Sequence, residues 1–425
     1  MKPILLGCIA DDFTGATDLA NNLVRAGMRV IQTVGVPEED LESDVDAVVI
    51  ALKSRTIAPE VAIEQSLGAL AWLKKFGAHQ IYFKYCSTFD STEKGNIGPV
   101  TKALMQAMSA SFTVVTPAFP DNGRTIFKGH LFVGDVLLSD SSMRNHPLTP
   151  MSDSNLVRLM QAQYPDPVGL IDYKVVSKGY AAIKERITEL TRQGIRAAVV
   201  DALSNSDLVE LGLAVKDLPL VTAGSGLAIG LPQNFGLKPS LSQTHLPNPS
   251  GHRAILSGSC SEMTLKQVEH FKKQGHPCFA LDPMELSRDW SYLDKAVQWA
   301  RSEFTKSAGP ILIYSTSAPE QVRTVQKELS VGQAGELVEK AMGELARALI
   351  QMGVGQLLVA GGETSGVCVQ SLKITQLQIG PQIDPGVPWC FAKTPRSLHL
   401  ALKSGNFGRE DFFSYAWSAL DQQTV

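Results

Sequence analysis

Residues Ile9–Asp18 read IADDFTGATD, and this stretch indicates how the N-terminal part of the chain folds. An apolar run at Ile4–Ala10 ends in two adjacent carboxylates, and a turn containing Gly15 leads from them into a helical pattern. Ligands of wound α/β sheets bind at the carboxyl ends of the strands. The stretch therefore predicts that Asp11 and Asp12 face a ligand at the edge of such a sheet.

Apolar runs and helical patterns alternate through the rest of the first half. The predicted strands there are Ile4–Ala10, Ala47–Leu52, Gln80–Lys84, Phe112–Thr116, Ala197–Asp201 and Leu220–Thr222. Helical patterns lie between several of them, at Pro59–Phe76 and Lys178–Gln193. This alternation is typical of a largely parallel sheet. Residues Arg124–Leu138 interrupt it and predict a hairpin with a turn at Lys128-Gly129, so we expect the sheet to be mixed there.

A second α/β rhythm follows a segment with the composition of a linker. Residues 232–251 contain four prolines and almost no apolar periodicity. The predicted strands beyond them are Arg253–Ser257, Pro310–Tyr314, Gln356–Ala360, Gln376–Ile379 and Leu398–Leu402, with helices at Gln333–Met352 and Arg409–Leu420. The sequence thus predicts two wound α/β domains, with mostly parallel sheets and some mixed strands.

The composition of the chain favours a globular protein and argues against a nucleic-acid-binding or membrane protein. The chain has 425 residues, 44% of them hydrophobic and 19% charged, which is ordinary for a globular protein of two domains. A net charge of -3 gives no long-range attraction for nucleic acid or an anionic membrane. No segment approaches the roughly 18 apolar residues of a membrane span. Six scattered cysteines without a CxxC pair suit a reducing compartment. We expect a cytoplasmic protein with a small diffusible substrate and, by default, a homodimer.

The two carboxylates have polar neighbours that suit a sugar acid. Thr14 and the backbone N–H groups near Gly15 stand at a helix N-terminus, which favours a carboxylate or a phosphate. One carboxylate could accept a hydroxyl proton while the other orients hydroxyl groups. Helix capping is the alternative interpretation, because Asp and Thr often cap helices. Two acids with a Thr-Gly pair exceed what a cap needs.

A second polar loop follows the strand that ends at Lys84. Its lysine could pair with an anion, and its Asp90 and Ser91 could bind hydroxyl groups. Helix capping and turn formation explain such a loop equally well. Arg55 and Arg124 also follow strand ends, and the planar fork of arginine matches a carboxylate. Together these residues predict a site for a substrate that carries a carboxylate.

Three glycine-containing loops follow strand ends in the second half, at Leu256–Ser261, Val359–Gly366 and Ala401–Gly408. Glycine lets backbone N–H groups approach a phosphate closely. The loops match neither GxxxxGK[ST] nor GxGxxG, so they are neither a P-loop nor a dinucleotide fingerprint. They nevertheless predict a nucleotide site. The eight histidines lack metal-ligand spacing, and we assign no residue to a metal.

Several motifs, in this order, resemble the four-carbon acid sugar kinase family. They are ADDFTGA at Ala10–Ala16, DST and GNIG within Asp90–Gly98, PAFP at Pro117–Pro120, GRT at Gly123–Thr125, AGGET at Ala360–Thr364 and KSGNFG at Lys403–Gly408. Many members read KKxDSTLRGN in the second loop. Here that loop is longer, with Lys94 where arginine is usual. This form is similar to the 3-oxo-tetronate subgroup rather than to the D-threonate or D-erythronate kinases.

The resemblance implies a substrate-binding domain at residues 1–231 and a nucleotide-binding domain at 252–425, with 232–251 as the linker between them. It implies transfer from ATP, with Mg²⁺, to the terminal C4 hydroxyl of 3-oxo-tetronate, giving 3-oxo-tetronate 4-phosphate. The implied ATP contacts are Ser257, Gly258, Gly361, Gly362, Glu363, Thr364 and Gly405. We expect Asp12 to be the catalytic base, with Asp11 as the next candidate. The predicted substrate-binding residues are Asp11, Asp12, Thr14, Gly15, Arg55, Lys84, Asp90, Ser91 and Arg124.

Three alternatives stay open at this point. D-threonate or D-erythronate could be the acid instead of 3-oxo-tetronate. An NAD-dependent dehydrogenase of sugar acids would need a dinucleotide fingerprint at the first turn, where Asp11 and Asp12 would repel a pyrophosphate. A sugar-acid sensor without catalytic activity would not need three glycine loops in a second domain.

Overall fold

The computed structural model describes residues 3–38, 45–146, 149–239, 244–316, 331–392 and 397–421. The chain forms two compact units, Met1–Thr244 and His245–Val425. The first unit contains the strands β1 Leu6–Ala10, β2 Val30–Val34, β3 Ala47–Ala51, β4 Gln80–Lys84, β5 Thr113–Thr116, β6 Arg124–Phe127, β7 His130–Val133, β8 Val136–Leu137, β9 Val168–Ile171, β10 Ala197–Val200 and β11 Leu220–Ala223. Its helices are α1 Phe13–Arg25, α2 Pro59–Lys75, α3 Ile97–Ala107, α4 Leu156–Gln163, α5 Tyr173–Val176, α6 Tyr180–Arg192 and α7 Asn205–Ala214.

The main sheet of the first unit is parallel, in the order β2-β3-β1-β4-β11-β5-β10-β9. Strands β1, β3 and β4 are buried along their whole length, as expected for strands covered by helices on both faces. Ala10 pairs in register with Ala51 on one side and Lys84 on the other. The loops that follow β1, β3 and β4 therefore leave the sheet at one edge, and all of them carry predicted site residues.

The predicted hairpin is confirmed, because β6 and β7 pair antiparallel around Lys128 and Gly129. Both turn residues have positive φ, +54° and +73°, as a tight two-residue turn requires. The hairpin forms a separate small sheet, β6-β7-β8, so the expectation of a mixed main sheet at this point was wrong. The buried carboxylate of Asp201 holds the turn, since it accepts the N–H groups of Lys128, Gly129 and Tyr173 at 2.7–2.8 Å.

The second unit contains β12 His252–Ser257, β13 Cys278–Ala280, β14 Ile311–Tyr314, β15 Val354–Ala360, β16 Gln376–Asp384, β17 Val387–Ala392 and β18 Leu398–Lys403. Its helices are α8 Glu262–Lys273, α9 Pro283–Arg288, α10 Tyr292–Lys306, α11 Val331–Gln351, α12 Gly362–Ser371 and α13 Phe412–Asp421. The strand order is β13-β14-β12-β15-β18-β17-β16. The first five strands of this order, β13, β14, β12, β15 and β18, run parallel to one another. Strand β17 pairs antiparallel with both β18 and β16. The mixed strands of the predicted fold occur here.

Each predicted strand and helix coincides with an observed one, and β16 shows the largest difference because it extends five residues beyond the predicted Gln376–Ile379. Apart from the two-residue β8, the strands that sequence reasoning missed are β2, β9, β13 and β17. Three of them stand at an end of the strand order in their unit. They are short or contain Gln, Thr, Gly or Pro, so they do not form apolar runs.

Two further observations bear on the sequence-based predictions. Pro232–Phe235, the start of the predicted linker, forms a 3-10 turn in the first unit, and Pro232 is buried. All six cysteines are free thiols. Among the helices that the structure describes, none combines the length and the apolar character required to cross a bilayer.

Candidate active site

The carboxylates at the end of β1 form the centre of a charged cluster. Asp12 caps α1, since its Oδ1 accepts the N–H of Gly15 at 3.1 Å and its Oδ2 accepts the hydroxyl of Thr14 at 2.6 Å. The predicted capping role is therefore real. It does not exhaust the site, because Asp11, the half-buried Arg55 and the buried Lys84 also converge here.

Arg55 binds both carboxylates. Its Nε and Nη2 donate to the two oxygens of Asp11 at 2.9 and 2.8 Å, and Nη2 also donates to Asp12 Oδ1 at 2.6 Å. Its Nη1 lies 3.7 Å from Asp90 Oδ2. The fork that we expected to receive a substrate carboxylate thus holds the protein's own carboxylates. In this structure Arg55 orients Asp11 and Asp12.

Lys84 places a buried ammonium beside the start of α1. Its side chain is 3% exposed, and its Nζ lies 3.4 Å from Asp12 Oδ1. Gly15 makes this approach possible, because a Cβ at that position would lie 1.6 Å from Lys84 Nζ. Burial by itself would lower the pKa of Lys84, but the charges of Asp12 and Asp11 outweigh it and raise that pKa. Lys84 therefore stays charged.

The pKa values of the two carboxylates shift in opposite directions. Burial raises the pKa of Asp11, and the paired guanidinium of Arg55 opposes that rise. Burial also acts on Asp12, but the charges of Arg55 and Lys84 and the hydrogen bonds from Thr14 and Gly15 outweigh it and hold the pKa of Asp12 below its ordinary value. The Asp12 side chain is also the more exposed of the two, at 17% against 7%. Asp12 is thus an ionised carboxylate that a ligand can reach.

The loop after β4 returns Asp90 to this cluster. Phe89 has a positive φ of +53°, which is unusual for a bulky residue, and its ring packs edge-on against Tyr85 at 5.6 Å between centroids. Strained backbone of this kind occurs often at functional sites. Asn96 ties the same loop to the one that carries Arg55, since its Nδ2 donates to the carbonyls of Ser54 at 2.8 Å and Ile57 at 2.9 Å.

Ser91 and Arg124 occupy the margin of the cluster. Ser91 Oγ accepts a hydrogen bond from Gln163 Nε2 at 2.9 Å, and Ser91 lines a small pocket together with Asp11, Arg55 and Asp90. The Arg124 side chain is nearly buried, and its Nη1 donates to the carbonyl of Asn122. Burial lowers the pKa of Arg124, while its electrostatic interactions with Cys86, Asp90 and Asp18 oppose that change. The structure therefore brings all the substrate-binding residues predicted from sequence to one sheet edge.

Asp18, at the end of the IADDFTGATD stretch, was not among the predicted site residues, yet it lies beside the cluster. It lies one helical turn after Thr14 on α1, and its Oδ2 accepts the hydroxyl of Ser225 while its buried Oδ1 has no hydrogen-bond partner among the described residues. Burial raises the pKa of Asp18 to about 7, against the charge of Lys84. The spacing of four residues on a helix is the signal that could have indicated it, because such residues share a face.

The glycine loops of the second unit also converge. They follow β12, β15 and β18, which are neighbours in the sheet. A Cβ on Gly258 would lie 2.3 Å from Thr364 Oγ1, one on Gly361 would lie 3.2 Å from the backbone N of Ser259, and one on Gly405 would lie 2.8 Å from Ser259 Oγ. Glycine at these positions is therefore what allows the loops to approach each other.

The other predicted ATP contacts lie at the same sheet edge. The hydroxyl of Ser257 is buried and lies 2.7 Å from that of Thr316. Gly362, Glu363 and Thr364 form the first turn of α12, whose capping residue Gly361 has a φ of +121° and no side chain to satisfy the helix N–H groups. An uncapped helix start between glycine loops suits a phosphate.

The oxygen-bearing side chains of the second unit bear on how Mg²⁺ could be held. In the described ranges, no three His, Cys, Asp or Glu side chains cluster as metal ligands. Mg²⁺ needs no such cage, since it is usually bound by one or two carboxylates together with substrate phosphates and water. Glu363 and Thr364, at the start of α12, supply oxygens of the type that Mg²⁺ binds, and these residues therefore fit the ion.

Comparison with known proteins gives two domain matches. Residues 6–231 match the family model described as a sugar-binding N-terminal domain, and residues 254–413 match the one described as a nucleotide-binding C-terminal domain. The 3-oxo-tetronate kinase of Pseudomonas fluorescens is 53% identical over 98% of this chain and 97% of its own. The 3-oxo-tetronate kinase of Haemophilus influenzae is 50% identical over 97% of this chain and 99% of its own.

Two solved structures also match this chain over nearly its whole length, in both sequence and fold. A Salmonella typhimurium LT2 protein described as a candidate tRNA synthase is 46% identical, covers 97% of this chain and 98% of its own, and superposes with a TM-score of 0.84. A Haemophilus influenzae protein is 49% identical over 97% of this chain and 100% of its own, with a TM-score of 0.75. Both the sequence and the fold match along nearly the whole length, and the chain therefore belongs to the four-carbon acid sugar kinase family.

Proposed function

We propose that this chain is an ATP-dependent kinase that phosphorylates the C4 hydroxyl of 3-oxo-tetronate and releases 3-oxo-tetronate 4-phosphate and ADP. The observation that carries the proposal is the ionised, accessible Asp12 at the start of α1, next to the buried ammonium of Lys84. The choice of acid is supported by relatives named 3-oxo-tetronate kinase that are about half identical over nearly the whole chain.

In the proposed step, the C4 hydroxyl oxygen forms a bond to the γ-phosphorus of ATP, and the bond from that phosphorus to the β-γ bridging oxygen breaks. ADP leaves with the electron pair of that bond. The hydroxyl proton moves to the carboxylate of Asp12, which is free to accept it because it is held ionised. Phosphoryl transfer depends mainly on positioning and charge stabilisation, so this base contributes about 10²–10⁴-fold.

The acid is held in the first unit by the charged cluster. We assign the substrate carboxylate to Lys84 and Arg124, since the fork of Arg55 is occupied by Asp11 and Asp12. Arg55 acts by fixing those two carboxylates. The remaining contacts, to the hydroxyl and oxo oxygens, are assigned to Asp11, Thr14, the N–H of Gly15, Asp90 and Ser91.

ATP is assigned to the second unit. The proposed contacts are Ser257, Gly258, Gly361, Gly362, Glu363, Thr364 and Gly405, at the convergence of the three glycine loops. Mg²⁺ would be held by the phosphates together with Glu363 and Thr364, and it would neutralise charge that develops on the phosphoryl oxygens. The proposed roles follow the predicted division of the chain, with residues 1–231 for the acid, 232–251 as a linker and 252–425 for the nucleotide.

The test is ADP release from ATP-Mg with a panel of acids: 3-oxo-tetronate, D-threonate and D-erythronate, with mass spectrometry of the product. We expect release that depends on 3-oxo-tetronate and a product heavier by one phosphoryl group. If the enzyme instead prefers D-threonate or D-erythronate, the proposed substrate is wrong, but the proposed phosphoryl transfer from ATP still holds. Binding of an acid without ADP release would replace the kinase by a sugar-acid sensor.

The cellular setting is proposed on the same basis. ATP and six free thiols suit the reducing cytoplasm, and we place the protein there. A homodimer remains the default prediction for its assembly. Sedimentation of the purified chain measures that assembly directly.

A further inference from the structure

Lys403 is a buried cation that the proposed reaction does not yet use. It is the last residue of β18, and its side chain is 0% exposed. Its Nζ donates to Thr264 Oγ1 at 3.0 Å and to the carbonyls of Ser404, Gly405 and Phe407 at 3.1, 2.8 and 3.3 Å. Within the part of the chain that the structure describes, no carboxylate pairs with it, and its surroundings are neutral oxygens.

These contacts require a donor-rich head group. The three carbonyls can only accept hydrogen bonds, and the hydroxyl of Thr264 already donates to Gly405 O at 2.8 Å, so it accepts from Lys403. An ammonium has three N–H donors, whereas a neutral amine has two. Burial nevertheless lowers the pKa of Lys403 to about 7, because no anion compensates the charge. Near neutral pH the amine is therefore charged in only part of the molecules, and an anion beside it would complete its protonation, since the described protein supplies no negative charge there.

The same contacts set the direction of the loop's peptide groups. The carbonyls of Ser404 and Gly405 turn inward to Lys403, and in a planar trans peptide the next N–H points the opposite way. The N–H groups of Gly405 and Asn406 therefore point away from the ammonium. Gly405 also borders Ser259, in the first of the converging glycine loops. Outward N–H groups of this kind bind anions.

A second buried side chain holds the next part of the loop without carrying a charge. Gln267 Nε2 donates to the carbonyls of Phe407 at 3.1 Å, Gly408 at 3.3 Å and Arg409 at 2.9 Å. Gln267 is also 0% exposed. Lys403 and Gln267 thus both hold neighbouring stretches of the loop by donating hydrogen bonds to its carbonyls, but only Lys403 can carry a charge.

We propose that Lys403 is a positioning residue of the nucleotide site: its buried ammonium turns the N–H groups of Gly405 and Asn406 outward and supplies the positive charge that the nucleotide's phosphates neutralise. Lys403 acts by holding the loop in place and by its electrostatic attraction for the phosphates, and it does not contact the nucleotide. This inference rests on the proposed use of ATP. It predicts that Lys403 contributes to affinity in proportion to the charge of the phosphate chain.

The experiment is calorimetric titration of the full chain with adenosine, AMP and ADP. Lys403→Gln is the main variant, because its amide retains two N–H donors for the loop and removes the charge. We expect its ADP affinity to fall about 10- to 100-fold, equivalent to about 1.4–2.8 kcal/mol, while its adenosine affinity stays within about twofold. Gln267→Met is the matched control, and its ADP affinity should fall clearly less. Lys403→Met repeats the measurement if Lys403→Gln does not fold.

Each other outcome contradicts the inference. Wild-type ADP affinity in a folded Lys403→Gln variant would show that the charge is not used. An equal loss for adenosine and ADP would indicate general damage to the unit, and equal losses in Lys403→Gln and Gln267→Met would reduce Lys403 to an anchor of the loop. If the wild-type chain binds none of the three ligands, the proposed use of ATP fails as well, which separates that failure from the others.

Discussion

The two candidate sites of this chain are built in different ways. The site of the first unit is built from charged side chains, in which Arg55 and Lys84 hold Asp11, Asp12 and, at longer range, Asp90. The site of the second unit is built from backbone, with three glycine loops, a helix start without a side-chain cap and the buried ammonium of Lys403.

The difference follows from what each site must recognise. A small acid presents hydroxyl and carboxylate groups in a fixed pattern, and opposed side-chain charges can match that pattern and prepare one carboxylate as a base. A polyphosphate presents many equivalent oxygens, and backbone N–H groups near glycine can approach them closely. Substitutions in the first site should therefore alter chemistry and acid binding, whereas substitutions in the second should alter nucleotide binding alone.

The largest expected effect is that of Asp12→Asn. We expect kcat to fall about 10²–10⁴-fold, because the amide cannot accept the hydroxyl proton. ADP affinity should not change, since Asp12 belongs to the first unit. Asp217→Asn, at an exposed carboxylate paired with Lys184, is the control and should keep full activity. Nearly full turnover of Asp12→Asn would transfer the role of base to Asp11.

Arg55→Met should come next. It removes the fork from Asp11 and leaves that carboxylate buried, so we expect kcat/KM for the acid to fall about 10²-fold and the first unit to lose about 3 kcal/mol of stability. Steady-state kinetics and chemical unfolding measure the two effects. The control is Arg29→Met, which breaks a similar but more exposed fork with Asp46. If both variants kept wild-type kinetics, Arg55 would have no part in the site.

A pair of glycine substitutions tests the division of labour directly. Gly15→Ala drives a Cβ into Lys84 and should raise KM for the acid about tenfold. Gly361→Ala strains a backbone at φ +121° by about 1–3 kcal/mol and should weaken ADP binding about tenfold. Each variant should leave the other ligand's affinity unchanged. Gly68→Ala, where a Cβ meets no atom within 4 Å, is the control. A loss of both affinities in either variant would break the comparison.

The smallest effect concerns stability. Burial raises the pKa of Asp18 from 3.8 to about 7, so the folded chain retains a proton that the unfolded chain releases between about pH 4 and pH 7. Stability therefore falls as pH rises through that window. Asp18→Asn removes this penalty and should raise Tm by about 3 °C at pH 8, with a smaller gain at pH 5. Equal gains at both pH values would mean that Asp18 is not protonated in the folded chain.

Most of the fold could be predicted from the sequence because buried parallel strands are continuous apolar runs. Strands such as β1, β4 and β15 were found within two residues of their observed ends. Strands β2, β9 and β17 were not, because polar, glycine or proline residues interrupt them, and β13 was not, because it has only three residues; tertiary pairing decides the state of all four. The position of the hairpin β6-β7 could be predicted, but its separation from the main sheet could not.

The candidate site, like the fold, could be predicted from the sequence only in part. The residue types of the ADDFTG stretch and of the glycine loops determined by themselves that polar groups would meet at strand ends, since parallel strands end at one edge. Only the tertiary structure decided that Arg55 is occupied by Asp11 and Asp12, that Asp18 and Lys403 are buried, and that Asp12 stays ionised. Distances of a few ångströms between residues far apart in sequence set those charges, and no local pattern records them.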